Sequence, residues 1–342
     1  MLKTKIAQES GFKDSYFHNY FINDPIGFID VGARGGSHSL VEPLHTHVSF
    51  LGFEPDLEEC DQLNQDAGLK QYWNQFKVLP NALSNDYAAR TLNILSAATN
   101  SSLLEPNSTF VNRYKMAQKW TITKKFPVDT VPLDHVMYDL NLGFEYSGEI
   151  IKLDTQGTEY EIIEGARRLL TETTVCVVTE VEFFSIYEGQ KLFSDVEVYL
   201  RELGFSFYGF LTLHTRSQKT LNKKTNLGKE RLFYADAVFF KDPLSTPVTL
   251  NERSLNVLMF SAILTGFFDF ALELATSPLL NLPESELKLI RNLIETVSYV
   301  NPETTEQQLQ ALVKNVSTSQ ASTNVLVGKF IDKIAFPDFE DC

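Results

Sequence analysis

Residues 28–37 read FIDVGARGGS, a short apolar strand running directly into a glycine-rich turn. A second apolar stretch, residues 48–55 (VSFLGFEP), carries Glu54, 24 positions after Asp30. Glycines at 32, 35 and 36 let a backbone turn sharply and approach a ligand closely, and a carboxylate on the neighbouring strand can accept hydrogen bonds from ribose hydroxyls. Strand, turn, strand and acid together point to a nucleotide-like ligand. The spacing is Asp30-x-Gly32-x-x-x-Gly36, with Arg34 where the dinucleotide fingerprint G-x-G-x-x-G has its second glycine. Two alternatives stay open from these residues alone: a nicotinamide cofactor, and a turn that Gly35 and Gly36 shape without binding anything.

Outward from this segment, strand-length apolar runs recur at residues 27–31, 48–53, 77–79, 150–153 and 175–181, with helical patterns between them. That alternation predicts a parallel sheet flanked by helices. Leu57, Cys60, Leu63 and Ala67 share one helical face, and Gly68 is placed to cap that helix. Residues 158–161 (TEYE) match a capping box ahead of the buried stripe Ile162, Ile163, Ala166, Leu169 and Leu170, and Ser194 to Glu197 match a second box. After Gly204, FSFYGFLTL and LFYADAVFF are joined by a polar, basic segment and read as an antiparallel hairpin. Strand signals then fade. Helical patterns cover residues 251–276, 283–300 and 302–316, with Asn301-Pro302 as cap and first-turn proline, and residues 317–324 read as a linker. The expected division is an N-terminal segment 1–25, a domain 26–243 and a helical C-terminal appendage 244–342, through which copies of the chain could associate.

The 342 residues carry a net charge of −14, which argues against a general nucleic-acid binder. Cys60, Cys176 and Cys342 are far apart, odd in number and without a CxxC pair, so neither a disulfide framework nor a structural zinc site is indicated. With no signal-peptide-like start, and a longest uncharged run (residues 254–268) too short to span a membrane, the expectation is a cytoplasmic protein.

Residues 150–165, IIKLDTQGTEYEIIEG, deliver Asp154 to a strand's carboxyl end, where open parallel sheets bind ligands. An acid two residues before the first glycine of the turn, and a glycine four after it, resemble the first motif of class I S-adenosylmethionine-dependent methyltransferases. Together with FEP at 53–55, NALS at 81–84, Ser101-Ser102-Leu103 and the Asp154 segment, they resemble the FkbM family of those enzymes over roughly residues 28–210. The resemblance implies a Rossmann-like, mostly parallel seven-stranded α/β sheet whose final, antiparallel strand inserts beside the fifth. It also implies methyl transfer from S-adenosylmethionine to a hydroxyl oxygen of a carbohydrate or related metabolite. Asp30, Gly32, Ala33, Gly36, Glu54, Pro55, Asn81 and Ala82 correspond to its cofactor motifs. Arg34 and Gly35 depart from the family pattern.

Such a reaction needs a hydroxyl aligned with the methyl carbon and a base for its proton. Asp154 is the first candidate, with Glu180 and Glu182 at the end of the fifth strand as rivals and His214 as a further one; Asp154 as a structural acid is the plain alternative. Asp154, Glu159, Glu180 and Glu182 could instead gather Mg2+, although Glu159 is explained equally well as a first-turn acid and one of Glu180 and Glu182 as solvent-facing. No metal spacing accompanies His38, His45, His47 or His214. Two basic stretches, Arg113, Lys115, Lys119, Lys124 and Lys125, and Arg216, Lys219, Lys223, Lys224, Lys229 and Arg231, suit an anionic acceptor or simple solvated loops. Ser101, Ser102, Arg216 and Lys219 are the candidate acceptor-binding residues. The aromatic helix with Leu258, Phe260, Phe267, Phe268 and Phe270 reads as a core or dimer helix ahead of a membrane-surface one. Other functional classes are a nicotinamide-dependent oxidoreductase, opposed by the missing fingerprint and the absence of a Tyr-x-x-x-Lys catalytic pair at a helix, and a non-catalytic assembly protein.

Overall fold

The computed structural model of the chain describes residues 6–36, 38–222, 226, 228–300 and 302–335. Ser37, Lys223, Lys224, Asn301 and Cys342, named above, lie outside the described residues.

Among the described residues ten strands form two sheets: β1 (Ile26–Val31), β2 (Val48–Phe53), β3 (Gln75–Leu79), β4 (Ala82–Leu83), β5 (Ala88–Leu95), β6 (Ile122–Val131), β7 (Ile150–Leu153), β8 (Cys176–Glu182), β9 (Ser206–Arg216) and β10 (Arg231–Phe240). The main sheet has the order β3-β2-β1-β7-β8-β10-β9. Its first five members are parallel, and β10 runs antiparallel between β8 and β9. The order reverses between β1 and β7, which opens a crevice at their carboxyl ends. This is the Rossmann-like methyltransferase arrangement expected above, with a helical C-terminal region.

β1 and β2 are buried at every position, as continuous apolar runs covered on both faces must be. One face packs Ile29, Leu51, Ile151, Val177 and Ala237 against the stripe Ile162, Ile163, Ala166, Leu169 and Leu170. The other packs Phe28, Phe50, Ile150, Cys176, Val178 and Phe240 with Phe12, Phe17 and Phe21 near the N-terminus and with helix Glu252–Leu264. Leu258 and Phe260 are fully buried there, and Phe12, Phe17 and Phe21 each meet Phe260 edge-on. The aromatic helix is therefore core, and it stops at Leu264 because Gly266 turns the chain at φ +83° before helix Phe268–Thr276. Among the described residues no helix is long and apolar enough to cross a membrane. Cys60 and Cys176 are buried free thiols.

Several local expectations are corrected. Gly68 lies inside a second short helix, Ala67–Tyr72, because Asp66 caps it by accepting from the amides of Gly68 and Leu69. Thr158 makes no side-chain cap; Glu159 bonds backwards to its own turn instead. At the next box it is Asp195 that accepts from the Leu192 amide, two residues earlier than expected. Residues 317–324 hold only a brief break, since helices Pro302–Thr318 and Thr323–Ala335 flank it. The segment between β3 and β7 folds as a second sheet, β4-β6-β5, over the crevice.

Candidate active site

The glycine turn is set by a close approach. A Cβ at Gly32 would lie 2.0 Å from the Asp154 carbonyl oxygen, and its φ is +89°, so only glycine fits where β1 leaves the sheet beside β7. The Gly32 and Ala33 amides both donate to the Phe53 carbonyl, tying the turn to β2. Gly35 and Gly36 also have positive φ and open space where a Cβ would stand. Beneath the turn Asp30, 1% exposed, accepts from the His38 amide at 3.0 Å and faces Lys152 Nζ at 3.5 Å.

Above this lies a cleft, partly open to solvent, bounded by Gly32, Arg34, Glu54, Pro55, Asn81, Ala82, Ser101, Ser102, Asp154 and Gln156 among others. On one wall Glu54 accepts from the Asp56 amide at 2.8 Å through Oε1, while Oε2 stands 3.8 Å from Arg34 Nε and retains accepting capacity. Arg34, the departure from pattern, is held by Asp56 Oδ2 at 2.5 Å. Burial pushes the Glu54 carboxyl upward, opposed by the Asp56 amide and Arg34.

On the other wall stands Asp154. Burial opposes its ionisation, but Lys152 at 3.4 Å and the Gln156 amide at 2.8 Å outweigh that and hold its carboxyl below the usual range. Lys152 sits between Asp30 and Asp154 as a buried, charged bridge. Gln156, at φ +59°, is the hub of this wall: its Nε2 donates to Asp154 and to Glu180, its Oε1 accepts from Tyr187 OH, and its carbonyl accepts from Ser102 Oγ. Neither Lys152 nor Gln156 was singled out in the sequence. Lysine two positions before an aspartate on an otherwise apolar strand was the available signal, because i and i+2 share a face.

Glu180 and Glu182 depart from expectation for the same reason. Being two apart they share one face of β8, so neither is turned to solvent by alternation, and Glu182 is 2% exposed. Neither lines the cleft. Burial, reinforced by neighbouring carboxylates, pushes both well above the normal carboxylate range. Glu159 is a positioning acid: it accepts from the Thr155 amide at 2.6 Å, the Gly157 amide at 2.9 Å and Thr155 Oγ1 at 3.1 Å. Asp154, Glu159 and Glu180 do bring carboxylate oxygens within 4.8 Å of one another, but Glu159 is engaged with its own turn and Lys152 already supplies a positive charge beside Asp154.

Gly32, Glu54, Pro55, Asn81, Ala82, Ser101, Ser102 and Asp154 thus come together around one cleft. Asp30, Ala33 and Gly36 lie behind or beside it as parts of the turn. Ser101 and Ser102 use their hydroxyls internally, Ser101 accepting from the Leu95 amide and Ser102 donating to Gln156. His214, Arg216 and Lys219 are on β9 and the connection after it, outside the cleft lining; His214 stacks on Tyr234 at 4.1 Å, and burial lowers its pKa. Of the first basic stretch, Lys125 is paired with Glu105 and Lys124 lies 4.0 Å over Phe126.

With this geometry in place, residues 30–207, just over half of the chain, match the sequence model of the Methyltransferase FkbM domain. The chain belongs to the FkbM methyltransferase family. The matched stretch contains both cleft walls, from Asp30 through Glu54 to Asp154 and Glu182. Among solved structures, the FkbM-family chain is similar to the methyltransferase FkbM from Methylobacillus flagellatus KT at 14% identity, over 67% of this chain and 47% of that one, with a TM-score of 0.34. It thus spans about half the length of that protein. It is also similar to magnesium protoporphyrin IX methyltransferase (ChlM) from Synechocystis PCC 6803, solved with bound SAM, at 11% identity over 65% and 75% of the two chains, with a TM-score of 0.33. No curated protein sequence matches the chain.

Proposed function

We propose that this FkbM-family methyltransferase takes its methyl group from S-adenosylmethionine and places it on a hydroxyl oxygen of a carbohydrate or related metabolite. When bound, S-adenosylmethionine supplies an electrophilic methyl group. The cleft fits such a donor: the Gly32 turn lets backbone come close, and Glu54 Oε2 is free to accept from a ribose diol beside it. Asn81 and Ala82 close the wall between these residues and the second sheet.

The observation that carries the reading is Asp154. It is the ionised carboxylate on the wall opposite Glu54, held so by Lys152 and aimed by Gln156. Asp154 is suited to orient an acceptor hydroxyl and receive its proton, whereas Glu180 and Glu182 stand outside the cleft lining. Asp154→Asn keeps the hydrogen-bonding shape and removes the basic charge. Methyl transfer from labelled donor into a panel of sugars and nucleotide sugars should fall by ~100-fold or more in that variant, the usual scale for losing a general base. S-adenosylhomocysteine affinity, read by calorimetry, should stay near wild type. Near-normal turnover in the folded variant overturns the assignment of the base.

A further inference from the structure

Beyond the cleft, the face of β9 and β10 carries a pair of arginines that the fold does not explain. Arg216 and Arg231 are direct cross-strand partners at the end of the hairpin that adjoins its connecting loop. Like charges directly opposite one another destabilise a sheet, so a pair of this kind needs compensation. Glu230, next in sequence, does not supply it: it accepts from Thr215 Oγ1, and strand alternation puts both residues on the opposite face. No carboxylate lies within ion-pair distance of either guanidinium among the described residues. Each instead lies over an aromatic ring, Arg216 5.4 Å from Phe233 and Arg231 3.9 Å from Phe184, and Arg216 Nε is buried with no hydrogen-bond partner. Those rings are fixed from behind, Phe110 stacking on Phe233 at 5.3 Å and packing against Phe184 at 5.5 Å.

The same face leads back to the acidic wall. Thr212, His214 and Arg216 alternate along β9; Thr212 donates to Asp236 and His214 stacks on Tyr234, while Asp236 and Tyr234 pair with Glu180 and Glu182 across β8. A continuous polar track therefore runs from Glu180 and Glu182 to the two arginines. Burial raises the Tyr234 phenol most, with Glu180 adding to the shift and Arg216 opposing it, as expected of a ring standing between the two ends.

We propose that Arg216 and Arg231 form an oxyanion-binding subsite for the acceptor, one that takes a carboxylate or phosphate group in the planar fork geometry that guanidinium groups offer. This rests on the methyltransferase reading of the cleft. It also sizes the acceptor. Three strand spacings and four residues of rise put the Arg216 Cα ~20 Å from the level of Asp154. The hydroxyl and the anionic group of the acceptor are therefore further apart than one sugar ring is wide. The matching class is an acidic oligosaccharide or a nucleotide-linked sugar; a simple monosaccharide is too short to reach both ends.

The test uses the full chain with saturating S-adenosylhomocysteine and three probes: inorganic phosphate, glucuronate and neutral glucose, followed by calorimetry and thermal melting. Phosphate or glucuronate should bind and raise the melting temperature, and glucose should not; which oxyanion binds more tightly separates the phosphate source from the carboxylate one. Arg216→Gln and Arg231→Gln should each weaken oxyanion binding ~10-fold or more, with Arg→Lys versions intermediate and S-adenosylhomocysteine affinity unchanged. Without oxyanion, Arg231→Gln should melt at or above the wild-type temperature, because a repulsion has been removed; a merely structural arginine would melt lower. Oxyanion binding that is absent in wild type, or unchanged in both glutamine variants, overturns the subsite. Failure to bind S-adenosylhomocysteine while oxyanion binding persists overturns the methyltransferase reading and leaves the subsite standing.

Discussion

Replacing Lys152 by Met tests whether a buried ammonium sets the charge of the proposed base. Lys152 Nζ stands 3.4 Å from Asp154 Oδ2 and 3.5 Å from Asp30 Oδ1. At effective dielectrics between about 80 and 20, opposite unit charges at that separation interact by about 1–5 kcal/mol. The Asp154 side chain is 35% exposed, so solvent screening favours the lower end, about 1–2 kcal/mol. The sign follows from direction: Asp154 is held below its ordinary value, so its ionised form, and activity that needs it, persists above that depressed pKa and is lost as pH falls through it. Without the ammonium the acid limb of the kcat profile should move to higher pH. Lys152→Met also leaves Asp30 buried without its counter-ion, at a cost of about 3–5 kcal/mol. The variant is therefore best made with Asp30→Asn, which keeps an acceptor for the His38 amide. The assay is single-turnover methyl transfer from about pH 4 to 9 at saturating donor, with S-adenosylhomocysteine binding as the control. A double variant that folds and binds, with an unmoved acid limb, refutes the reasoning.

Glu54→Gln keeps shape but loses charge, and should weaken S-adenosylhomocysteine binding by ~10-fold or more in calorimetry through loss of charge-assisted bonds to the ribose; the melting temperature should change little. Glu182 has a raised folded pKa, so the wild type loses stability as pH rises from the unfolded value toward the folded one. Glu182→Gln should flatten that slope, making the variant relatively more stable at alkaline than at acidic pH in urea titrations. Gly32→Ala drives a methyl to 2.0 Å from a backbone oxygen at positive φ. It should cost several kcal/mol, on the order of the strain and overpacking penalties combined, and abolish donor binding together with the cooperative melt.

What could be read in advance follows from how strongly each segment is buried. β1, β2 and β7 announce themselves because both faces are covered and nearly every residue is apolar, and β8 does so through the apolar run Cys176–Val178 that opens it. β5 and β6 do not: exposed positions alternate along them, and Lys124 and Lys125 sit in mid-strand, so they resemble a polar loop. The Gly32 turn and Glu54 were legible because glycine and a strand-end acid have few other uses at such a junction. Lys152 and Gln156 were not, because their roles come from partners brought together across the chain: Asp30, Glu180, Tyr187 and Ser102. Ser101 and Ser102, conspicuous as hydroxyls, turn out to spend them on holding the wall in place.

The position of β10 between β8 and β9 bears on how the molecule is made. A ribosome delivers β8 first, then β9, and only then the strand that must sit between them. Until residues 231–240 emerge, the outer edge of β8 has no partner. The sheet face around Phe28, Ile150 and Val178 waits longer still for helix Glu252–Leu264. The nascent chain thus carries a bare apolar surface through most of its synthesis, and an open β8 edge through the stretch between residues 182 and 231. Both are closed only by its last third, and this interval is where chaperones would be needed.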